Sequence, residues 1–241
     1  MHIGTAGWAI RRDFQDAFPG GGSHLARYAA RLNAVEINSS FYRPHRASTY
    51  ARWAAETPDG FRFSVKLPKA ITHERRLADA GGLLDAFLAQ CGALGEKLGC
   101  LLIQLPPSLA YTHTDFFARL RERYDGPAAL EPRHLSWFTP AAEALLLRHR
   151  IARVAADPPV GPFAPHGPFE YWRLHGSPRI YYSDYDDAFL HTLSERADGD
   201  AWVIFDNTAL GHATANALAL TSAATCTKGP RPASRSRRPA A

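Results

Sequence analysis

Eight short apolar runs, at residues 3–6, 34–38, 61–66, 100–104, 128–131, 151–156, 169–174 and 201–205, recur along this chain, and they limit its fold more than any other feature. Most of the gaps carry an amphipathic helical pattern, at residues 23–32, 47–56, 83–98, 115–124, 140–148, 186–196 and 213–220. Strands that alternate with helices pair in parallel through right-handed crossovers. With eight such units in 241 residues, closing the sheet into a ring removes both exposed edges. The alternative, an open doubly wound sheet, would lead one to look for GxGxxG after the first strand, and none is there. The expected fold is therefore α/β, a TIM-type (β/α)8 barrel forming a single domain over residues 1–223. One crossover departs from the pattern. Residues 157–168 (DPPVGPFAPHGP) contain five prolines, which cannot sit in a regular helix, so a Pro-rich loop is expected to replace the helix between strands 6 and 7. Thr139-Pro140 supplies an N-cap with proline at the first helical position, and Ser183 or Asp184 is the expected cap of the next helix.

The formal net charge of +5 suggests nucleic acid only until it is located. Residues 224–241 hold Lys228, Arg231, Arg235, Arg237 and Arg238 and no acid, so removing them leaves residues 1–223 formally neutral. The barrel thus offers no charge-based support for a nucleic-acid partner. The tail is rich in Pro, Arg and Ser without a periodic apolar face, and is expected to be disordered. Cys91, Cys100 and Cys226 have neither metal-ligand spacing nor an even count, which fits a reducing cytoplasm. No basic leader or membrane-length apolar stretch is apparent, so no membrane association is expected.

Period-two alternation then sorts each strand into a helix-facing side and a lumen-facing side. With Val35 and Ile37 outward, Glu36 and Asn38 turn in. Phe61, Phe63 and Val65 outward leave Arg62, Ser64 and Lys66 inside. Leu101, Ile103 and Leu105 outward leave Gln104 inside, and Leu130 outward leaves Ala129, Glu131 and Arg133. Trp172 and Leu174 outward leave Tyr171, Arg173 and His175. An ionic set of Glu36, Lys66, Glu131, Arg133, Arg173 and His175 is thereby expected at the C-terminal end of the barrel, where folds of this type keep their active sites. Glu36 with Lys66, and Glu131 with Arg133, are alternatively simple ion pairs. Buried pairs are poor stabilisers, which favours a binding role for so large a set.

These residues lie in stretches that resemble, almost end to end, the domain-of-unknown-function 72 or YecE-like family: IGTAGW at 3–8, NAVEINSSFYR at 33–43, FRFSVKLPKAITHERRL at 61–77, LGEKLGCLLIQLPPSL at 94–109, ALEPRHLSWF at 129–138, YWRLHG at 171–176 and FDNTALGHATANAL at 205–218. The resemblance implies a TIM-type barrel and no established reaction. It marks Glu36, Asn38, Lys66, Thr72, His73, Gln104, Glu131, Arg133, His134, Trp137, Arg173, His175, Asn207 and His212 as characteristic positions. The chain departs from the family pattern at Pro132, Asp206 and Leu210, and its last helix runs into the Pro/Arg tail.

Lys66, Arg133 and Arg173 in a low-dielectric mouth would attract a carboxylate, a phosphate or a sugar phosphate, with Arg173 either the anchor or the partner of a glutamate. Glu36, Glu131 and His175 are the candidate acid and base groups. Trp8, Tyr42 and Trp137 each follow a strand end and are the expected walls of the site. The reading is a metal-independent enzyme for a small anionic molecule, without a cofactor, its reaction class open among hydrolase, lyase and isomerase. One alternative is a nuclease or phosphodiesterase using a divalent metal on Glu36, Glu131, Asp157, His175, Asp206 and His212, against which stand the missing HxH, HxxE and HExxH spacings and the crowding cations. The other is a non-catalytic ligand-binding or scaffold protein.

Overall fold

A computed structural model of the chain describes residues 1–112, 114–197 and 199–226. Most of the expected tail therefore lies outside the described residues. Nine strands are present among them: β1 His2–Thr5, β2 Ala34–Ile37, β3 Arg62–Lys66, β4 Leu98–Gln104, β5 Ala128–Glu131, β6 Ile151–Arg153, β7 Ala155–Asp157, β8 Tyr171–Leu174 and β9 Trp202–Phe205. All pair in parallel, in a five-stranded sheet ordered β2-β3-β4-β5-β6 and a four-stranded sheet ordered β1-β9-β8-β7.

The expected sixth strand is interrupted at Val154, whose N–H bonds Leu130 O at 2.8 Å, leaving β6 in one sheet and β7 in the other. At the opposite edges, Ala6 bridges Glu36 and the Gly7 N–H reaches Glu36 O at 2.9 Å. A backbone bridge thus joins the sheets at the β1–β2 margin, and at the other margin the chain runs from β6 through Val154 directly into β7. Gly4 is required at the β1–β2 approach, because a Cβ there would lie 2.0 Å from the Ala34 carbonyl oxygen. Below that contact the Tyr28 hydroxyl accepts from Thr5 N at 2.8 Å and donates to Ala34 O at 3.0 Å.

Among the described residues seven α-helices cover the strands: α1 His24–Ala29, α2 Ala47–Ala55, α3 Gly81–Cys91, α4 Phe116–Arg123, α5 Pro140–Arg148, α6 Asp187–Arg196 and α7 His212–Cys226. Ser23 caps α1, and Thr139 caps α5 with Pro140 in its first turn. The cap of α6 is Asp186, whose Oδ1 accepts from Phe189 N at 2.8 Å. Ser183 and Asp184 are engaged earlier, accepting from Arg179 N and Tyr185 N, which corrects the expected cap. The long helix expected over 83–98 stops at Cys91 and tightens into a 3-10 segment Gly92–Lys97. Gly95 there turns to φ 58°, a conformation glycine adopts cheaply, and aims the chain into β4. The last helix, expected to end at Leu220, continues to Cys226. No helix lies between Asp157 and Tyr171, where His166 instead makes an antiparallel bridge to Arg153.

Strand alternation divides the apolar core in two. Val35, Ile37, Phe61, Phe63, Val65, Leu101, Ile103, Leu130, Trp172, Leu174, Val203 and Phe205 belong to the large cluster packed with helix side chains. Ala34, Cys100, Leu102, Ala129, Ala152, Val154, Tyr171, Trp202 and Ile204 form a separate inner cluster contributed by both sheets. Trp202 stacks on Tyr171, with the rings 5.9 Å apart and nearly parallel. Apolar residues thus fill the interior up to the Tyr171 hydroxyl. Beyond it the inward positions become charged.

Candidate functional site

The change begins where Ser64 Oγ meets the Tyr171 hydroxyl at 2.8 Å and that hydroxyl reaches Glu36 Oε2 at 3.4 Å. Arg173, 1 % exposed, is the hub of the charged layer above. Its Nε and Nη2 grip Glu36 bidentately at 2.8 and 2.7 Å, Nη2 also lies 2.9 Å from Asp206 Oδ2, and Nη1 donates to Glu131 Oε2 at 3.1 Å. Arg173 comes from β8 of the four-stranded sheet, and Glu36 and Glu131 from β2 and β5 of the other, so the hub ties the sheets together. Glu131 also accepts from Gln104 Nε2 at 3.0 Å and pairs with Arg133 Nη2.

His175 is fully buried and both its nitrogens are engaged. Nδ1 lies 3.0 Å from Asp206 Oδ2. Nε2 faces Arg133 Nη2 at 2.6 Å, Arg173 Nη1 at 3.0 Å and Glu131 Oε1 at 3.1 Å. Asp206 and Glu131 thus flank the ring at its two nitrogens, with both arginines beside Nε2.

Three carboxylates (Glu36, Glu131, Asp206) and three cations (Lys66, Arg133, Arg173) thus gather around His175. Burial alone would raise the Glu131 carboxyl, yet the charges of Arg173 and Arg133, together with His175, hold it well below the usual carboxylate range. Asp206 is lowered in the same way, burial being outweighed by Arg173, His175 and Lys66. Arg173 is held well above its ordinary value because Glu36, Asp206 and Glu131 overcome its desolvation. These groups stabilise one another's charged forms.

Lys66 is different. It ends β3, is 5 % exposed, and places Nζ 4.3 Å from the centroid of the Phe41 ring; among the described residues it has no ion pair or hydrogen bond at Nζ. Burial, then the charge of Arg173, push it down to about 8 against the pull of Glu36, Glu131 and Asp206. His73 meets the same Phe41 ring edge-on at 4.9 Å, and its Nδ1 lies 2.9 Å from Thr72 Oγ1. Burial and the Lys66 charge lower His73 in turn. Tyr181 lies over His175, the rings 6.1 Å apart.

The remaining expected residues fall into two groups. Asn38, after β2, has a buried Oδ1 with no hydrogen-bond partner among the described residues, and so does Asn207, whose Nδ2 donates to Ser183 O and Asn216 Oδ1. These are acceptors left open near the ends of β2 and β9. The others are engaged elsewhere. Trp137, expected as a wall, is 1 % exposed, donates from Nε1 to Leu109 O at 2.9 Å and packs against Tyr111 and Phe117, so it belongs to the core. Trp8 packs edge-on against Trp53. Tyr42 is 70 % exposed and touches Phe41. His134 Nδ1 accepts from Ser136 N, capping a short turn, and His212 pairs loosely with Asp184 at 3.6 Å.

Of the alternatives open for Arg173, the partnership with glutamates is the one formed. Arg173 spends its donors on three carboxylates and does not offer a free fork to a ligand. Glu36 pairs with Arg173 and not with Lys66. Asp206, which the sequence marks as a departure from the family pattern and as a metal-ligand candidate, joins both Arg173 and His175. A signal for this exists in the chain: Val203 and Phe205 face the helices, so the same alternation turns Asp206 inward. For the metal alternative, Asp157 is taken by the Tyr185 hydroxyl at 2.6 Å, and among the described residues no three His, Cys, Asp or Glu side chains are grouped to hold a metal ion. No helix among the described residues is long and apolar enough to cross a membrane.

Comparison with known proteins gives a consistent set of relatives. A sequence model of the family described as "Protein of unknown function DUF72" matches residues 2–239. The UPF0759 protein YecE of Escherichia coli K12 is 28 % identical over 150 residues, covering 59 % of this chain and 55 % of that protein. The UPF0759 protein YunF of Bacillus subtilis is 29 % identical over 150 residues, covering 58 % and 53 %. The matched region thus spans about half the length of these curated relatives. Among solved structures, a DUF72 family protein from Thermotoga maritima is 26 % identical with a TM-score of 0.75, covering 91 % of this chain and 97 % of that one. Another from Enterococcus faecalis is 23 % identical with a TM-score of 0.76, covering 93 % and 95 %, a likeness of fold.

Proposed function

The chain belongs to the DUF72 family, whose description names no reaction, and from its charged interior we propose that it binds a small anionic molecule at the C-terminal ends of its strands. In this reading the two sheets are halves of one TIM-type barrel, supported by the Ala6–Glu36 bridge at one margin and by the direct run of the chain from β6 into β7 at the other. The observation that carries the proposal is Lys66, a buried cation with no ion pair or hydrogen bond at Nζ among the described residues, seated beside the carboxylate and arginine cluster but bonded to none of it. A buried charge is costly unless paired, and a carboxylate or phosphate would supply the missing partner.

Arg133, more accessible than Arg173, is the second contact cation. Gln104 and the open Oδ1 of Asn38 accommodate a hydroxyl or amide of the ligand. Phe41, Tyr42 and Tyr181 form its walls. Glu36, Glu131, Asp206 and His175 hold these cations in place, and Glu131, next to Arg133, is the carboxylate best situated to exchange a proton with the ligand. The reading needs no metal.

Calorimetric titration with phosphate, sulfate and pyruvate tests it. Wild-type protein is expected to bind at least one of them at millimolar concentration or tighter. Lys66→Gln is expected to weaken that binding by about 10-fold or more, the worth of one charge-assisted contact of roughly 1.5–3 kcal/mol. Equal binding by both proteins, or none by the wild type, refutes it.

A further inference from the structure

We propose that the Lys66 amine is a nucleophile that condenses with the carbonyl group of a small aldehyde or ketone bearing a carboxylate or phosphate. This rests on the anion-binding reading above and adds a substrate class to it.

Among the four lysines of the chain, the described ones have different surroundings. Lys69 is half-exposed and paired with Glu74 at 3.2 Å. Lys97 donates to Ala54 O and Thr57 O at 2.7 and 2.5 Å, so its nitrogen is saturated. Lys66 alone of these three is buried with its nitrogen unbonded, held by its stem in β3 and by the Phe41 face. A permanent anion clamp would be served as well by arginine, which stays charged and grips a carboxylate with two donors, and Arg133 is already there. A lysine that loses its proton near neutrality suits amine chemistry. The groups that set its charge are Arg173 from β8, Glu36 from β2, Glu131 from β5, Asp206 after β9 and His73 from the turn after β3.

The step balances without an oxidant. The nitrogen lone pair forms the C–N bond while the carbonyl π pair moves to oxygen, which takes up the proton that nitrogen loses. The resulting hydroxyl then leaves as water with the second nitrogen proton, giving an imine and one water. His73, which shares the Phe41 ring with Lys66 and is lowered by burial and by the neighbouring ammonium, is the acceptor assigned to these protons in this proposal.

Reductive trapping tests the inference: the full chain is incubated with pyruvate and cyanoborohydride, which reduces an imine to a stable secondary amine, and is then digested and mapped by mass spectrometry. The adduct is expected on Lys66. Lowering an amine from 10.5 to about 8 raises its neutral fraction at pH 7 by roughly 300-fold, so labelling of Lys66 should exceed that of Lys69 by well over 10-fold even after its lower basicity reduces its nucleophilicity. Its rate should level off above about pH 8, where the Lys66 amine is mostly neutral. Lys66→Arg should abolish the adduct. Labelling shared evenly among the lysines, or phosphate binding with no adduct, overturns the nucleophile while leaving the anion site intact. An adduct formed equally well with neutral propanal and unaffected by excess phosphate supports the nucleophile and overturns the anion reading.

Discussion

Replacing Arg173 with methionine keeps most of its length and removes its charge from the centre of the cluster. Glu36 loses a bidentate partner, and Asp206 and Glu131 lose contacts at 2.9 and 3.1 Å. Removing one member of a buried pair typically costs about 3–5 kcal/mol, because the other charge stays buried. Here three carboxylates are affected, although Arg133 still holds Glu131, so the upper half of that range is expected. For a chain of this size that corresponds to a fall in Tm of very roughly 10–20 °C. The pH dependence carries the sharper sign. In the wild type, Glu131 and Asp206 titrate below their ordinary values of 4.5 and 3.8, so their ionised forms add stability above those values, and that stability is lost as pH falls through the lower folded values. Without Arg173, desolvation weighs more heavily on both carboxyls and raises Asp206, which has no arginine left beside it. The folded variant then binds more protons than its unfolded chain, and its stability should rise as pH is lowered from 7 to 5. Urea denaturation of both proteins at pH 5, 6 and 7 measures this. A loss under about 1 kcal/mol, or a variant whose pH slope matches that of the wild type, refutes the account of Arg173 as the hub.

Gly4→Ala should cost about 3 kcal/mol or prevent folding, since its Cβ would meet the Ala34 carbonyl at 2.0 Å and neither strand can yield; thermal denaturation monitored by circular dichroism checks it. Cys91 and Cys100 are buried, and burial pushes the Cys91 thiol up to about 12 and Cys100 higher still. Iodoacetamide at pH 8 should therefore leave both unlabelled in the folded protein and modify both in urea, as peptide mapping will show.

Much of this organisation can be read from local pattern. The alternation that puts Phe61, Phe63 and Val65 outward and Ser64 and Lys66 inward is a property of the strand itself, and both apolar clusters follow it. The caps at Ser23 and Thr139 are likewise local. What depends on distance between strands is not legible there: which carboxylate Arg173 takes is decided by four strands meeting, and no spacing in the chain encodes it. The interruption at Val154 depends on a hydrogen bond to Leu130 from a neighbouring strand. Trp137 lies in the core and not at the mouth because following a strand end says little about which way a side chain on a tight turn will point. Asp206 as a partner of Arg173 does follow from alternation, once the rule is carried one residue past the end of the last strand.

Arg173 reaches from one sheet to acids on the other, so cohesion and charge are the responsibility of the same few atoms. A lone substitution among these residues would disturb the scaffold before it could adjust ligand preference. Drift at this end of the molecule should therefore proceed by compensated exchange, an acid and a base changing together, whereas the rim residues Tyr42 and Tyr181 are free to vary one at a time. Libraries built to retarget the protein would do best to randomise that rim and leave the salt lattice beneath it intact.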